Sequence, residues 1–550
     1  MVDMGVDFGS TYTTISVYRH STGMVETLSM SSSPYIPTTV ALAGGKYEFG
    51  RSARAVTGKP DVRVFKGFKM LLPETDTAFL AERGFDTTHS PRHVAGQFLE
   101  FCLRQALLCL NETKIRRLVV GVPEIWNERL YTLDARTVLL DILREFDFVE
   151  EAEVVSEPAA ATAFFAHNYK LSTGKEYDGS ILLIDYGGGT LDLTLTNVSG
   201  GSGSVEVKVL ERSGAGENED GQIGKAGIVY METVMAEAIR RSGLFGEELP
   251  PINGRFYKAV DALEEELQFR TGQIKDTFDE YGTDYPEDLD FEFTSIDYRG
   301  EYIPVTYRLL VEVYDQLIRP VLSVELDHMI SYMRTNEIDY MNRDQEIFKI
   351  ALVGGFGNFY LVKKQIEDTF LFSTMDKRQE NIIRNQFDRE KSISMGAAML
   401  AGNAVAIRHT APFSIGFVSR SAVGDIRVDR AITCKQDVEH GKAYFPLDNK
   451  TGKPLRYLMT RGCLSRIAIG VGTIQTKIYR LRPEYIAQLA ALTEPMTPVA
   501  LGFSVDASSE LTLHIRDYAL ELAEPAESGK RISLGNCAEL FVPEEVEYEL

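Results

Sequence analysis

Cysteine is scarce in this sequence, with five among 550 residues: Cys102, Cys109, Cys434, Cys463 and Cys537. The number is odd and no C-x-x-C pair occurs. That argues against a disulfide framework or a redox dithiol, and the expectation is reduced, mostly buried thiols in a cytoplasm. The eight histidines do not cluster near the cysteines, which argues against a zinc site. Met1-Val2-Asp3-Met4-Gly5 carries no basic stretch followed by an apolar run, so no secretory leader is expected. No stretch reaches about 18 consecutive apolar residues, so no membrane span is expected either. Positive charge is also in deficit: 58 Lys and Arg stand against 80 Asp and Glu, a formal net charge of −22. Such a field repels nucleic acid and anionic membranes at long range, while leaving local anion binding by backbone N–H groups, a lysine and a metal possible. Two common nucleotide signatures are missing. Gly58-Lys59-Pro60 lacks the spacing and the hydroxyl of a P-loop, and Gly214-Ala215-Gly216 runs into an acidic stretch, unlike a dinucleotide fingerprint.

What is present is a large apolar inventory, 44% of the residues, in a chain long enough for more than one domain. Val2, Met4, Val6 and Phe8 alternate, Gly9-Ser10-Thr11 turns the chain, and Ile15 and Val17 resume. That pattern predicts a strand, a tight turn and a returning strand. About 180 residues later the design recurs: the apolar run Ile181 to Ile184, the turn Asp185-Tyr186-Gly187-Gly188-Gly189-Thr190, then alternating Leu191, Leu193 and Leu195. Two hairpins of one pattern suggest an internal duplication. Helices are expected over Phe98–Leu110, residues 128–146, Phe256–Phe278 and Ser394–Ile407, and buried strands over Arg117–Val122 and Phe348–Val353. Ser213–Gly227 reads as a Gly-rich acidic loop. After the short polar connection Arg408–Pro412 the character changes. Phe413–Phe417, Ser465–Lys477, Val499–Val505 and Leu511–Ile515 read as short strands of a mostly antiparallel β domain.

The turns suit a phosphate chain. Several N–H donors must converge within about 3 Å of the oxygens, and only small residues let the backbone come that close. Gly9-Ser10-Thr11-Tyr12 and Gly187-Gly188-Gly189-Thr190 offer this, with hydroxyls as further donors. Asp7 and Asp185, placed just before the turns, would repel phosphate directly. They fit if hydrated Mg²⁺ lies between.

Taken in order, these landmarks resemble the actin, sugar-kinase and heat-shock ATPase superfamily, and within it the 70-kilodalton heat-shock (DnaK-like) chaperones. Gly5–Thr11 resembles that family's first phosphate motif and Ile184–Leu193 its second. Val120-Gly121-Val122-Pro123 with Trp126-Asn127, Val155–Ala161, Leu352-Val353-Gly354-Gly355 and Met395-Gly396-Ala397-Ala398 resemble four further segments. The resemblance implies an α/β fold: a duplicated actin-like ATPase domain over residues 1–407, with ribonuclease H-like lobes of about 1–175 and 176–407, then a β-rich peptide-binding domain over 411–550. It implies ATP or ADP with Mg²⁺, the metal held through water by Asp7 and Asp185. By the same resemblance Gly9, Ser10, Thr11, Tyr12, Gly187, Gly188, Gly189 and Thr190 hold phosphates, and Glu157, Lys69, Asp192 and Asp185 serve catalysis. Lys275, Gly354, Gly355 and Asn358 fall on the adenosine side. There the sequence departs from the family, with Asn358 in place of a stacking arginine and Gly272 in place of a carboxylate.

In the C-terminal part, Thr410–Gly416 and Phe503–Ala507 with Leu511–Leu513 resemble the family's β substrate-binding domain, which implies extended apolar peptides or client proteins as partners. A co-chaperone or exchange factor is a further implied partner; nucleic acid and membrane are not. Ala406-Ile407-Arg408-His409 replaces the family's Leu-rich linker, few residues remain for a helical lid, and Glu544-Glu545-Val546-Glu547 reads as a solvated acidic tail. The expectation is therefore a divergent, lidless ATPase and chaperone. A non-catalytic ATP-binding scaffold, a small-molecule kinase and an actin-like polymer former stay open as alternatives.

Overall fold

The computed structural model of the chain describes all residues except 31–32, 124–134, 202–203, 216–225, 247, 341–347, 371–390, 412, 421–425, 435, 440, 459–465, 472–474, 482, 494–497, 506–509, 519–529 and 537–550. Trp126-Asn127, most of the acidic loop, Asp506-Ala507 and the acidic tail thus lie outside the described residues. The chain divides into two compact units, Met1–Val205 with Leu210–Val405, and Glu206–Val209 with Ala406–Leu550.

The first unit is mixed α/β and opens with the expected hairpin. β1 (Val2–Phe8) pairs antiparallel with β2 (Tyr12–Arg19), with Asp7 opposite Thr14. β3 (Met24–Thr27) extends the sheet beyond β2. Helix α1 (Pro91–Leu110) starts sharply: the Ser90 hydroxyl accepts from the His93 N–H, and Pro91 takes a first-turn position that needs no donor. β4 (Ile115–Val122) then runs parallel to β1, and β5 (Val149–Ser156) parallel to β4. The sheet order is β3-β2-β1-β4-β5. Met4, Val6 and Phe8 of β1 meet Phe98 of α1 and Leu118 and Val120 of β4 in one core.

Helix α2 (Glu157–Thr173) leads to the second hairpin, β6 (Gly179–Tyr186) and β7 (Leu191–Gly201), in which Asp185 faces Asp192. Outside it pack α3 (Gly227–Arg241), α4 (Gly254–Phe269) and α5 (Thr271–Tyr281). Val260, Leu263, Leu267, Ile274 and Phe278 are all buried, as their spacing predicts, but the stretch is two helices broken at Arg270 rather than one. β8 (Phe348–Val353) returns parallel to β6, giving the order β7-β6-β8. In both sheets the first strand of a hairpin therefore lies between its antiparallel partner and a parallel strand that arrives by a long crossover. Past α6 (Tyr360–Thr369), helix α7 (Ser392–Ala401) lies on β1, β2 and β4. It packs against α2, which also touches β6 and β7.

Besides the break at Arg270, one helix expectation is corrected. Helix Ser394–Ile407 stops at Ala401, because Gly402 follows and Asn403 takes a left-handed φ of 57°; Ala406–Thr410 is strand. Of the helix expected over 128–146, the described part is Ala135–Arg144.

The second unit contains two described sheets whose pairings are antiparallel. One runs Ile426–Ile432, Ser414–Arg420, Arg466–Val471, Gln475–Arg480, and the other Tyr457–Leu458, Pro498–Val505, Glu510–Asp517, Lys530–Asn536. The single strand expected over Ser465–Lys477 is a hairpin, with Arg466 opposite Arg480. Phe417 and Phe503, one from each sheet, stack at 4.4 Å in the shared core. Among the described residues of the whole chain, no helix is long and apolar enough to cross a membrane.

The crossing of α2, α7 and β1 depends on missing side chains. A Cβ on Gly396 would sit 1.9 Å from the Ala160 carbonyl oxygen, and one on Gly5 would sit 2.1 Å from the Ala398 nitrogen. These neighbours are backbone and cannot swing aside. Gly396→Ala is expected to destabilise the protein by about 3 kcal/mol, the upper end of ordinary overpacking. Urea denaturation checks this, and an unchanged midpoint would mean the helices do not cross this closely.

Candidate functional site

Both hairpin turns open into one cleft of about 960 Å³ within the first unit. Its lining includes Asp7, Gly9, Ser10, Thr11, Tyr12, Lys69, Glu157, Asp185, Gly187, Gly188, Gly189 and Thr190. The turns approach each other closely. A Cβ on Gly188 would lie 2.3 Å from Thr11 Oγ1, and one on Gly189 would lie 2.5 Å from Ser10 Oγ. Glycine is needed here for contact rather than for unusual torsion angles.

Each turn is stapled from behind. The Thr38 hydroxyl donates to the Gly9 carbonyl at 2.7 Å, and its N–H donates to the Thr11 carbonyl at 2.8 Å. In the second turn the Gly187 N–H donates to the Thr190 carbonyl, while the Ile228 N–H at the start of α3 donates to the Gly188 carbonyl at 2.8 Å. Gly354, with φ 77°, leaves β8 against Asp185; a Cβ there would sit 2.4 Å from Asp185 Oδ1.

Glu157 is the first residue of α2, whose N-cap Ser156 accepts from the Ala159 N–H and whose Pro158 fits the first turn. A carboxylate there is favoured by the helix N-terminus. Lys69 Nζ, from the segment after Gly67, donates to Glu157 Oε1 at 2.7 Å. Both side chains are nearly buried, 3% and 6% exposed. Burial pushes the Asp7 carboxyl up to about 8; Glu157 adds to the rise and Lys69 opposes it. Asp185 is held well above the carboxylate range by burial first, then by Glu157, Asp192 and Asp7. One ammonium is too little positive charge for this cluster, and the donor set suits a hard divalent cation. Among the described residues, no three His, Cys, Asp or Glu side chains converge as a metal cage.

Not every expected residue reaches the cleft. Asp192 is fully buried behind Asp185 and does not line it. Lys275 does not line it either; its exposed ammonium pairs with Asp279 at 2.5 Å on the same helix. Gly354, Gly355 and Asn358 do line it. The Tyr12 hydroxyl is engaged by Arg54 Nη1 at 3.0 Å, and the guanidinium lies over the Tyr12 ring.

Several cleft residues carry no local sequence signal. Lys66 pairs with Asp261 at 2.5 Å, and Arg54 with Glu264 at 3.6 Å, from the segment before Lys69 to α4. Arg83 pairs with Glu232 of α3 at 3.4 Å. Only the sign of the charges hinted at these partners, since the residues lie roughly 150–210 positions apart in the chain.

No family model matches the chain. A search of curated proteins finds the "Chaperone protein DnaK" of Nitrosopumilus maritimus, 22% identical over 79% of this chain and 61% of that protein. The protein of the same name from Cenarchaeum symbiosum is 22% identical over 79% and 58%. A "Ribosome-associated molecular chaperone" of Eremothecium gossypii is 23% identical over 72% and 60%. The chain thus spans about 60% of the length of these relatives.

Lys69→Met would leave Glu157 buried beside two further carboxylates without its ammonium. A loss of about 3 kcal/mol is expected, the low end for breaking a buried pair. Adding Glu157→Gln removes the stranded charge and should restore most of it. Thermal denaturation of the single and double variants checks the pair, and equal melting temperatures would contradict it.

Proposed function

Because the chain belongs to the 70-kilodalton heat-shock (DnaK-like) family, we propose that the cleft binds ATP with Mg²⁺ and hydrolyses it, and that nucleotide state governs peptide or client binding by the C-terminal part. We read the two similar sheets as the duplicated, ribonuclease H-like halves of an actin-like ATPase, and residues 411–550 as its β-rich peptide-binding domain. A cytoplasmic location fits this reading. The observation that carries it is the meeting of Ser10 and Thr11 with Gly188 and Gly189, directly beside Asp7, Asp185 and the Lys69–Glu157 pair.

The roles follow from chemistry and position. Backbone N–H groups and hydroxyls of Ser10, Thr11 and Thr190 would hold phosphate oxygens, with Gly9, Tyr12, Gly187, Gly188 and Gly189 shaping the cradle. Asp7 and Asp185 would orient the waters of Mg²⁺. When bound, the metal and nucleotide supply the phosphoryl group and the neutralising charge. Lys69 donates to Oε1 of Glu157 and so fixes the carboxylate; its Oε2 is the atom we assign to accept a proton from a water. The same ammonium offers positive charge where negative charge spreads during transfer. Asp192 acts from behind, on Asp185, rather than on substrate. Closure of the cleft on nucleotide, and its release on hydrolysis, would change how the peptide-binding part holds its client.

The test is ATP turnover with Mg²⁺, with and without an extended apolar peptide. The expected result is slow turnover that the peptide raises several-fold, that chelation of Mg²⁺ abolishes, and that Glu157→Ala lowers about 100-fold or more, as removal of a general base does. Tight ATP binding with a negligible rate that Glu157→Ala leaves unchanged would favour the non-catalytic scaffold instead. Phosphate transfer to a metabolite would favour a kinase.

A further inference from the structure

We infer that Tyr360 is the platform on which the nucleobase stacks, and that this end of the cleft holds the base by an aromatic face rather than by a cationic group. The inference rests on the nucleotide reading above and names the residue that reads the far end of the ligand.

The chain itself gives the direction. Gly354 abuts Asp185, and from there the backbone runs through the short 3₁₀ turn Phe356–Asn358 to Tyr360 at the head of α6. Tyr360 lines the cleft, as Thr271 and Ile274 of α5 do. Among the described lining residues contributed by α4, α5 and the segment after β8, none is cationic; the charged ones are the α4 carboxylates Asp261, Glu264 and Glu265. Gln268, Thr271 and Asn358 are neutral hydrogen-bonding groups, and Tyr360 and Ile274 supply apolar surface.

The Tyr360 ring is held in place. It stacks on buried Phe278 at 5.6 Å with an interplanar angle of 29°, and its hydroxyl donates to Asp279 Oδ1. Asp279 is in turn paired with Lys275. Two partners on α5 thus fix the ring's position, one through a face and one through the hydroxyl. The ring is only half-buried, which leaves surface for a second planar group on the cleft side. A pre-oriented aromatic ring loses little rotamer freedom on binding, and every base has a π face to lay on it. Asn358 and Gln268 could then supply amide donor–acceptor pairs, the pattern that matches the edge of adenine.

Titration calorimetry with Mg²⁺-ATP and with Mg²⁺-tripolyphosphate, on the full chain, separates the base from the phosphates. Wild type should bind ATP more tightly than tripolyphosphate. Tyr360→Ala should weaken ATP roughly tenfold, the scale of a lost base–aromatic stack, and leave tripolyphosphate affinity unchanged. Tyr360→Phe, which keeps the ring and drops the hydroxyl, should stay within about threefold of wild type for ATP, since the stack is retained. Unchanged ATP affinity in Tyr360→Ala would overturn the inference. So would an equal loss for both ligands, which would mean that Tyr360 acts through the fold, or wild-type binding of ATP no tighter than tripolyphosphate. Wild-type binding of neither ligand would instead overturn the nucleotide reading itself, and this inference with it.

Discussion

Three carboxylates, Asp7, Asp185 and Glu157, share the neighbourhood of a single ammonium on Lys69, and much of the first unit can be understood as what keeps them there. Like charges at this range repel strongly once water is reduced, so the cluster is a standing destabilisation. The fold offsets it with rigid supports. β1 and β6 are buried strands, each flanked on both sides by a neighbouring strand of its sheet, and α2 begins at Glu157 with its positive end toward the site. A site of this kind is stable only when flanked by a large core, and both sheets supply one. On the proposed nucleotide reading the same strain would favour the ligand, since a cation entering the cluster would relieve repulsion already built into the fold.

The parts of this arrangement that were legible in the sequence are those fixed by short-range rules. Alternation and glycine placement revealed both hairpins, and the position of each aspartate before its turn revealed the direction of the carboxylates. Ser156-Glu157-Pro158 announced a helix start. The run Phe348–Val353 is a strand with those very bounds. What failed was read over too long a window. The break at Arg270 and the helix end at Gly402 interrupt patterns whose hydrophobic spacing continues across them, because periodicity reports burial more reliably than continuity.

Long-range partners were not legible. Thr38 staples the first turn, and Lys66, Arg54 and Arg83 reach α3 and α4, yet none sits in a motif. Their roles arise only when the chain folds distant segments onto the cleft. Lys275 shows the converse. Its spacing placed it on the right helix, but the helix turns it outward to Asp279, so its influence on the cleft passes through a carboxylate and the Tyr360 ring.

Beneath the first hairpin, Ser394 of α7 lies within hydrogen-bond distance of both Thr14 Oγ1, at 3.0 Å, and Ser16 Oγ, at 2.9 Å, and it donates to the Lys391 carbonyl. Apolar packing has no preferred direction, so a helix lying on a sheet through methyl groups alone can slide or roll by a fraction of a turn with little penalty. A buried hydroxyl node has one angular solution and a large penalty for the others. It therefore acts as a detent: α7 is indexed to β2 at one azimuth, and any rotation of that helix must be transmitted to the strand that carries Thr14, the residue facing Asp7.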